Sequence, residues 1–132
     1  MATGRRVGVV DEMVVVDAAN VVGSRPDGWW RDRAGAARRL LDALEAAPDV
    51  LTAEVVVVLE GAAKRAVDPG AVPAGRMRVV LAEGSGDDTI VDVVASAHAR
   101  QVTVVTADRG LRQRVEALGA RTVGPRWLLD AL

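Results

Sequence analysis

The chain alternates short, wholly apolar runs with segments in which apolar residues recur every three or four positions. The first run, Val14–Asp17, reads as a strand. From Arg33 to about Ala47 the spacing of Ala36, Ala37, Leu40, Leu41 and Leu44 predicts a helix with one apolar face, ended by Pro48 and Asp49. "EVVVVLEG" gives a second strand, and its unbroken valines suit burial on both faces, as in a parallel sheet. A loop with glycine and proline from Gly61 to Gly75 leads to a third strand, "MRVVLAEG". Helical spacing returns over Thr89–Arg100, with Ile90, Val93, Val94 and Ala97 inward. "VTVVTADRG" is a fourth strand and its exit; Leu111, Val115 and Leu118 mark a short helix closing at Gly119. "RTVG" supplies a fifth strand, and Pro125 opens a last helix carrying Trp127 and Leu128.

This order predicts an α/β fold, a three-layer, doubly wound sandwich on a mainly parallel five-stranded sheet. A chain of 132 residues suits one core. Residues 13–132 are therefore expected to form a single domain, with residues 1–12 a tail or an added edge strand.

In open parallel sheets, ligands sit outside the carboxyl ends of the strands. The apolar runs here end in acids: Asp17, Glu60, "GSGDD" after Glu83, and Thr106 to Asp108. Right-handed crossovers bring parallel strand exits to one edge, so these side chains can converge. Crowded carboxylates repel one another until some are protonated or a cation neutralises them. Mg²⁺ accepts one or two carboxylates, keeps waters and completes its shell with phosphate oxygens. Such a site activates water and stabilises the leaving oxygen in phosphodiester cleavage.

Composition narrows the chemistry further. There is no cysteine, and His98, read as a surface residue, is the only histidine, so thiolate and multi-histidine metal sites are excluded. Plainer readings stand beside the metal site. Asn20 suits a turn, Asp87 and Asp88 a helix start, Asp108 a helix cap and Glu60 a solvated position; Asp92 is a neighbour of Asp88 or a surface charge.

The net charge of −1 gives no overall attraction to nucleic acid, yet a local basic stripe is what contacts phosphates. "SRPDGWWRDRAGAARR" holds Arg25, Arg31, Arg33, Arg38 and Arg39 with Trp29 and Trp30, their charge partly offset by Asp27, Asp32 and Asp42. Arginines on phosphates with indoles on bases is the combination single-stranded RNA binding uses. One tryptophan is expected to be buried and the other, Trp30, near the groove. Arg109, beside Asp108, is the residue best placed for a phosphate contact, and the Thr106 hydroxyl can hold a carboxylate or a phosphate. No apolar run reaches the roughly 18 residues of a membrane span, and the N-terminus lacks a signal peptide's apolar core. A cytoplasmic protein with no membrane partner is expected.

Four segments, "VVVDAANVVG", "VVVVLEG", "GSGDDTI" and "VVTADRGL", in this order resemble the PIN-like nucleases, and within them the NYN domain of the YacP-like ribonuclease group. The resemblance implies a sheet order of 3-2-1-4-5, with Asp17 and Asp108 on neighbouring strands. It implies hydrolysis of RNA phosphodiester bonds dependent on Mg²⁺ or Mn²⁺. Asp17, Asp87 and Asp108 match the acidic core and Asn20 the signature asparagine; Asp88 and Glu60 are further metal candidates. Spacing to Ile90 favours Asp87 over Asp88 as the inner ligand. The implied partner is RNA, single-stranded or structured mRNA or rRNA, with the ribosome and a second copy of the chain as further candidates.

Three other readings compete. "GDDTIVD" resembles the acidic segment of haloacid-dehalogenase phosphatases, but Ala19 stands where their first strand carries a second acid, and Asp108 would be idle. A non-catalytic RNA-binding domain on the same fold leaves the acid set unexplained. The toxin of a toxin–antitoxin pair shares the broader fold class.

Overall fold

A computed structural model of the chain describes residues 12–47, 53–67, 77–97 and 101–132. The expectations for residues 1–11, for Pro48 and Asp49, for the loop stretch 68–76 and for His98 fall outside the described residues.

Five strands, β1 (Glu12–Asp17), β2 (Glu54–Leu59), β3 (Met77–Leu81), β4 (Gln101–Val105) and β5 (Arg121–Val123), form one sheet. Every pairing is parallel, and the strand order is β3-β2-β1-β4-β5. The order agrees with the expectation, and among the described residues every strand runs parallel to its neighbours. Val15, Val16, Val56, Val57, Val104 and Val105 lose essentially all contact with solvent, which is why these runs are continuous rather than alternating.

Side chains leave each strand to opposite faces and so feed two cores. On one face Val14 and Val16 pack with Leu41 and Leu44 of α2 (Arg33–Ala46) and with Val21 of α1 (Ala18–Gly23). On the other, Met13 and Val15 pack with Ile90 and Val94 of α3 (Gly86–Ser96) and with Leu111 and Val115 of α4 (Arg109–Glu116). A last helix, α5 (Pro125–Leu129), returns to the first face through fully buried Leu128.

Several boundaries differ from the periodicity reading. α3 starts at Gly86 rather than Thr89, because the Ser85 hydroxyl caps it by accepting from the Asp88 N–H at 3.1 Å. α4 ends at Glu116, and Leu118 lies beyond it, exposed; Gly119 at φ +92° closes the helix, with the Ala120 N–H reaching back to the Val115 carbonyl at 3.1 Å. Helix α1 was not legible, nor were the short 3₁₀ segments at Trp29–Arg31 and Gly61–Ala66. "AANVVG" is short and half β-branched or asparagine, so intrinsic propensity argues against a helix there. What sets α1 is Asp17 as its N-cap and the burial of Ala18 and Val21.

Candidate active site

β1 is the central strand, and its neighbours on either side run to the same rim. Val16 lies opposite Val105, so Asp17 and Thr106 leave the sheet level with each other. The Thr106 hydroxyl donates to Asp17 Oδ2 at 2.9 Å and accepts from the Asp108 N–H at 3.1 Å. One buried threonine thus ties two acids that lie 91 residues apart in the chain. Thr106 has no solvent exposure, so its hydroxyl holds a carboxylate and is closed to a phosphate. Asp108 caps α4 through Oδ1, which accepts from the Leu111 N–H at 2.9 Å. The helix-cap reading of that residue and its place at the rim both hold.

Asn20 meets this turn through its side chain. Its side-chain Oδ1 accepts the Ala107 N–H at 2.8 Å, while its own backbone N–H points to Asp17 Oδ1 at 3.4 Å. It therefore clamps the turn between Thr106 and Asp108 onto α1. Arg112, which the sequence reading passed over, braces the same turn by donating to the Thr106 carbonyl at 2.8 Å. Its only sequence signal is its place one helical turn after Asp108.

The second half of the rim is made by β2 and α3. Glu60 leaves β2 and accepts the Gly86 N–H at 3.0 Å on Oε2. A Cβ on residue 86 would stand 2.9 Å from Glu60 Oε1, so a glycine is needed there for the carboxylate to seat on the helix start. Asp87 is half-buried beside it. Asp88 is well exposed and pairs with Arg114 at 3.0 Å.

Electrostatics joins the two halves. Burial pushes the Asp17 carboxyl up from 3.8 to about 6, against the hydrogen bonds from Thr106 and Asn20, with Asp87 and Glu60 adding to the rise. Asp87 is also raised, first by burial and then by Asp108 and Glu60, with Arg114 opposing. Charge from Asp87 and Glu60 thus reaches Asp17, and charge from Asp108 and Glu60 reaches Asp87. The donor set is all oxygen and suits a hard divalent cation. Among the described residues, no three His, Cys, Asp or Glu side chains stand close enough to enclose an ion. The fit is therefore to an ion held by one or two carboxylates with water completing the shell, which is how Mg²⁺ is commonly bound.

A family model for the YacP-like NYN domain matches residues 14–132. The chain belongs to that family. The fold is shared with crystal structures of Rae1 (YacP) from Bacillus subtilis. A point mutant of that protein is 19% identical, with a TM-score of 0.71 over 90% of this chain and 73% of that one. Another Rae1 structure is 20% identical, with a TM-score of 0.70 over 89% and 71%. No curated protein sequence matches the chain. NYN membership supports a nuclease-type, RNA-related function.

The residues expected to meet substrate are scattered more widely. Arg109 is exposed directly after Asp108. Arg25 lines an open groove of about 880 Å³ that also includes Asn20, Ala107 and Arg126. Trp30 is exposed, with the Arg31 guanidinium 5.8 Å from its ring centre. Neither tryptophan of this segment is fully buried; Trp29 is half-buried, because the turn that carries it lies over α1 rather than under the sheet. Arg38 is withdrawn from any phosphate role by Asp42 at 3.0 Å and the Ala66 carbonyl at 3.0 Å. Among the described residues, no helix is long and apolar enough to cross a membrane.

Proposed function

We propose that this NYN domain is a divalent-metal-dependent ribonuclease that hydrolyses RNA phosphodiester bonds at the acidic rim. The observation that carries the reading is Asp17: a carboxylate at the end of the central strand, hydrogen-bonded to Thr106 and raised first by its burial and then by Asp87 and Glu60. A charge so placed is costly unless a cation answers it.

In this reading one or two of Asp17, Asp87 and Asp108 would hold Mg²⁺ or Mn²⁺, with water completing the shell, and Glu60 supports them from its seat on the Gly86 amide. Bound there, the ion would lower the pKa of a water and stabilise the leaving oxygen. The protein's own part is positioning. Thr106 fixes Asp17 against Asp108, Asn20 and Arg112 fix the turn between them, and Asp88 is held outward by Arg114. Arg109 and Arg25 contact backbone phosphates on either side of the cut, and Trp30 offers a surface for an exposed base.

The test is cleavage of an end-labelled single-stranded RNA with Mg²⁺ or Mn²⁺, with chelator, and with the Asp17→Asn variant. Cutting that needs the ion and is lost in the variant is expected. Cutting that survives both chelator and the substitution would remove the mechanism.

A further inference from the structure

Behind the acidic rim, a cavity of about 300 Å³ lies between α1, the start of α2 and the 3₁₀ turn that follows β2. Its walls include Ala18 and Ala19 of α1, Trp29, Arg33, Ala62 and Glu60. Two walls belong to the rim itself: Ala18 follows Asp17 directly, and Glu60 is one of the acids that raise it. Whatever enters this space meets Glu60 and the residue that follows Asp17.

The lining chemistry restricts the occupant. Alanines leave room where larger side chains would fill it, and the volume is at the small end for ligand pockets. The Arg33 guanidinium lies 5.0 Å from the Trp29 ring centre, so an aromatic ring and a planar cation are presented together. Those are the two kinds of group against which unpaired bases pack. A phosphate is disfavoured there, because Glu60 puts a carboxylate in the wall. The same carboxylate accepts from ring or exocyclic N–H groups. The open groove carries Arg25 and Arg126, the latter paired with Asp130 at 3.6 Å, and is wide enough for a backbone to lie along it. Trp29 and Ala19 line both spaces, so a strand lying in the groove can turn one base around Trp29 into the cavity.

We propose that this cavity receives one unpaired nucleobase of the RNA beside the scissile bond, and that it selects single-stranded positions for cutting. The proposal rests on the ribonuclease reading. A base held in a duplex cannot enter without first being unstacked and unpaired.

The experiment uses a single-stranded RNA whose cut site has been mapped with the wild-type protein. Its affinity for the Asp17→Asn protein is measured by fluorescence anisotropy, with an abasic nucleotide placed at each position in turn. One position near the cut should weaken binding about tenfold, and the others much less. In the Asp17→Asn background, Ala62→Phe, at an exposed residue of the cavity wall, should lower affinity for intact RNA by a similar factor and reduce the abasic penalty to below about twofold. Trp29→Ala should do the same, and circular dichroism checks that each variant is folded; Ala62→Phe suffices where loss of Trp29 disturbs the turn. A flat abasic profile, or a peak that persists at full size in Ala62→Phe, overturns the cavity as the base site while leaving the ribonuclease reading intact. RNA neither bound nor cut by any form of the protein overturns both.

Discussion

The two halves of the acidic rim are built on different principles. At the β1–β4 junction the polar groups are locked by hydrogen bonds: Thr106 to Asp17, the Asp108 amide to Thr106, Asp108 to the start of α4, and Asn20 to Ala107. At the β2–α3 corner, Glu60 has the Gly86 amide and Asp88 has Arg114, while Asp87 is raised first by its burial and then by Asp108 and Glu60. The first half is held by geometry that a neutral side chain could partly imitate. The second is governed by charge, and charge is what a cation relieves. The difference separates the residues that should fail through misplacement from those that should fail through lost charge.

The largest effect is expected at Asp17, where both principles meet. Asp17→Asn should reduce cleavage by more than about 100-fold, beyond the 10–100-fold typical of residues that only support a metal ligand. The same variant should be more stable at neutral pH. Moving a buried carboxyl from 3.8 to about 6 corresponds to at most about 3 kcal/mol of native-state cost once it is ionised. A higher melting temperature with no activity is the expected pair of readings; a lower melting temperature would show that the hydrogen bonds outweigh the buried charge.

The pH dependence follows from the same shift. Because the carboxyl of Asp17 is raised on folding, the native state holds a proton that the unfolded chain has already released between about pH 4 and pH 6. That contribution to stability is present below about pH 4 and is lost as pH rises through about 6. Urea denaturation across this range should show the decline, and Asp17→Asn should flatten it.

Asn20→Ala tests the geometric half by itself. It removes the hold on Ala107 without touching a charge, so about 10–100-fold loss of activity and about 1 kcal/mol of stability are expected. An unchanged rate would separate the clamp from the chemistry. The smallest effect belongs to Asp88→Asn. Its exposed ion pair with Arg114 is worth about 0–1 kcal/mol, and activity should stay within about threefold. A loss as large as that of Asp87→Asn would reverse the order assigned to the two neighbours.

The valine runs and their acidic ends were legible because buried parallel strands leave an unbroken apolar signature and acids close it. Strand order, by contrast, came from resemblance, and the pairings β3-β2-β1-β4-β5 agree with it. Asn20 was visible as a residue of interest, yet its partner lies 87 positions away and nothing local announces it. Helix α1 was hidden because tertiary packing overrode its propensity. Arg38 was readable after all: Asp42 stands four residues on, the spacing of a helical ion pair, and that pairing withdraws it from RNA. The Arg114 contact that sets Asp88 aside crosses between two helices and has no local signal.

The central claim is tested most directly by calorimetric titration of Mn²⁺ into the purified protein and into its Asp17→Asn and Asp87→Asn variants. Saturable binding to the wild type, lost or greatly weakened in both variants while they remain folded, is the predicted result. Equal binding by all three proteins, or none by the wild type, would contradict an ion held between the strand-end acids.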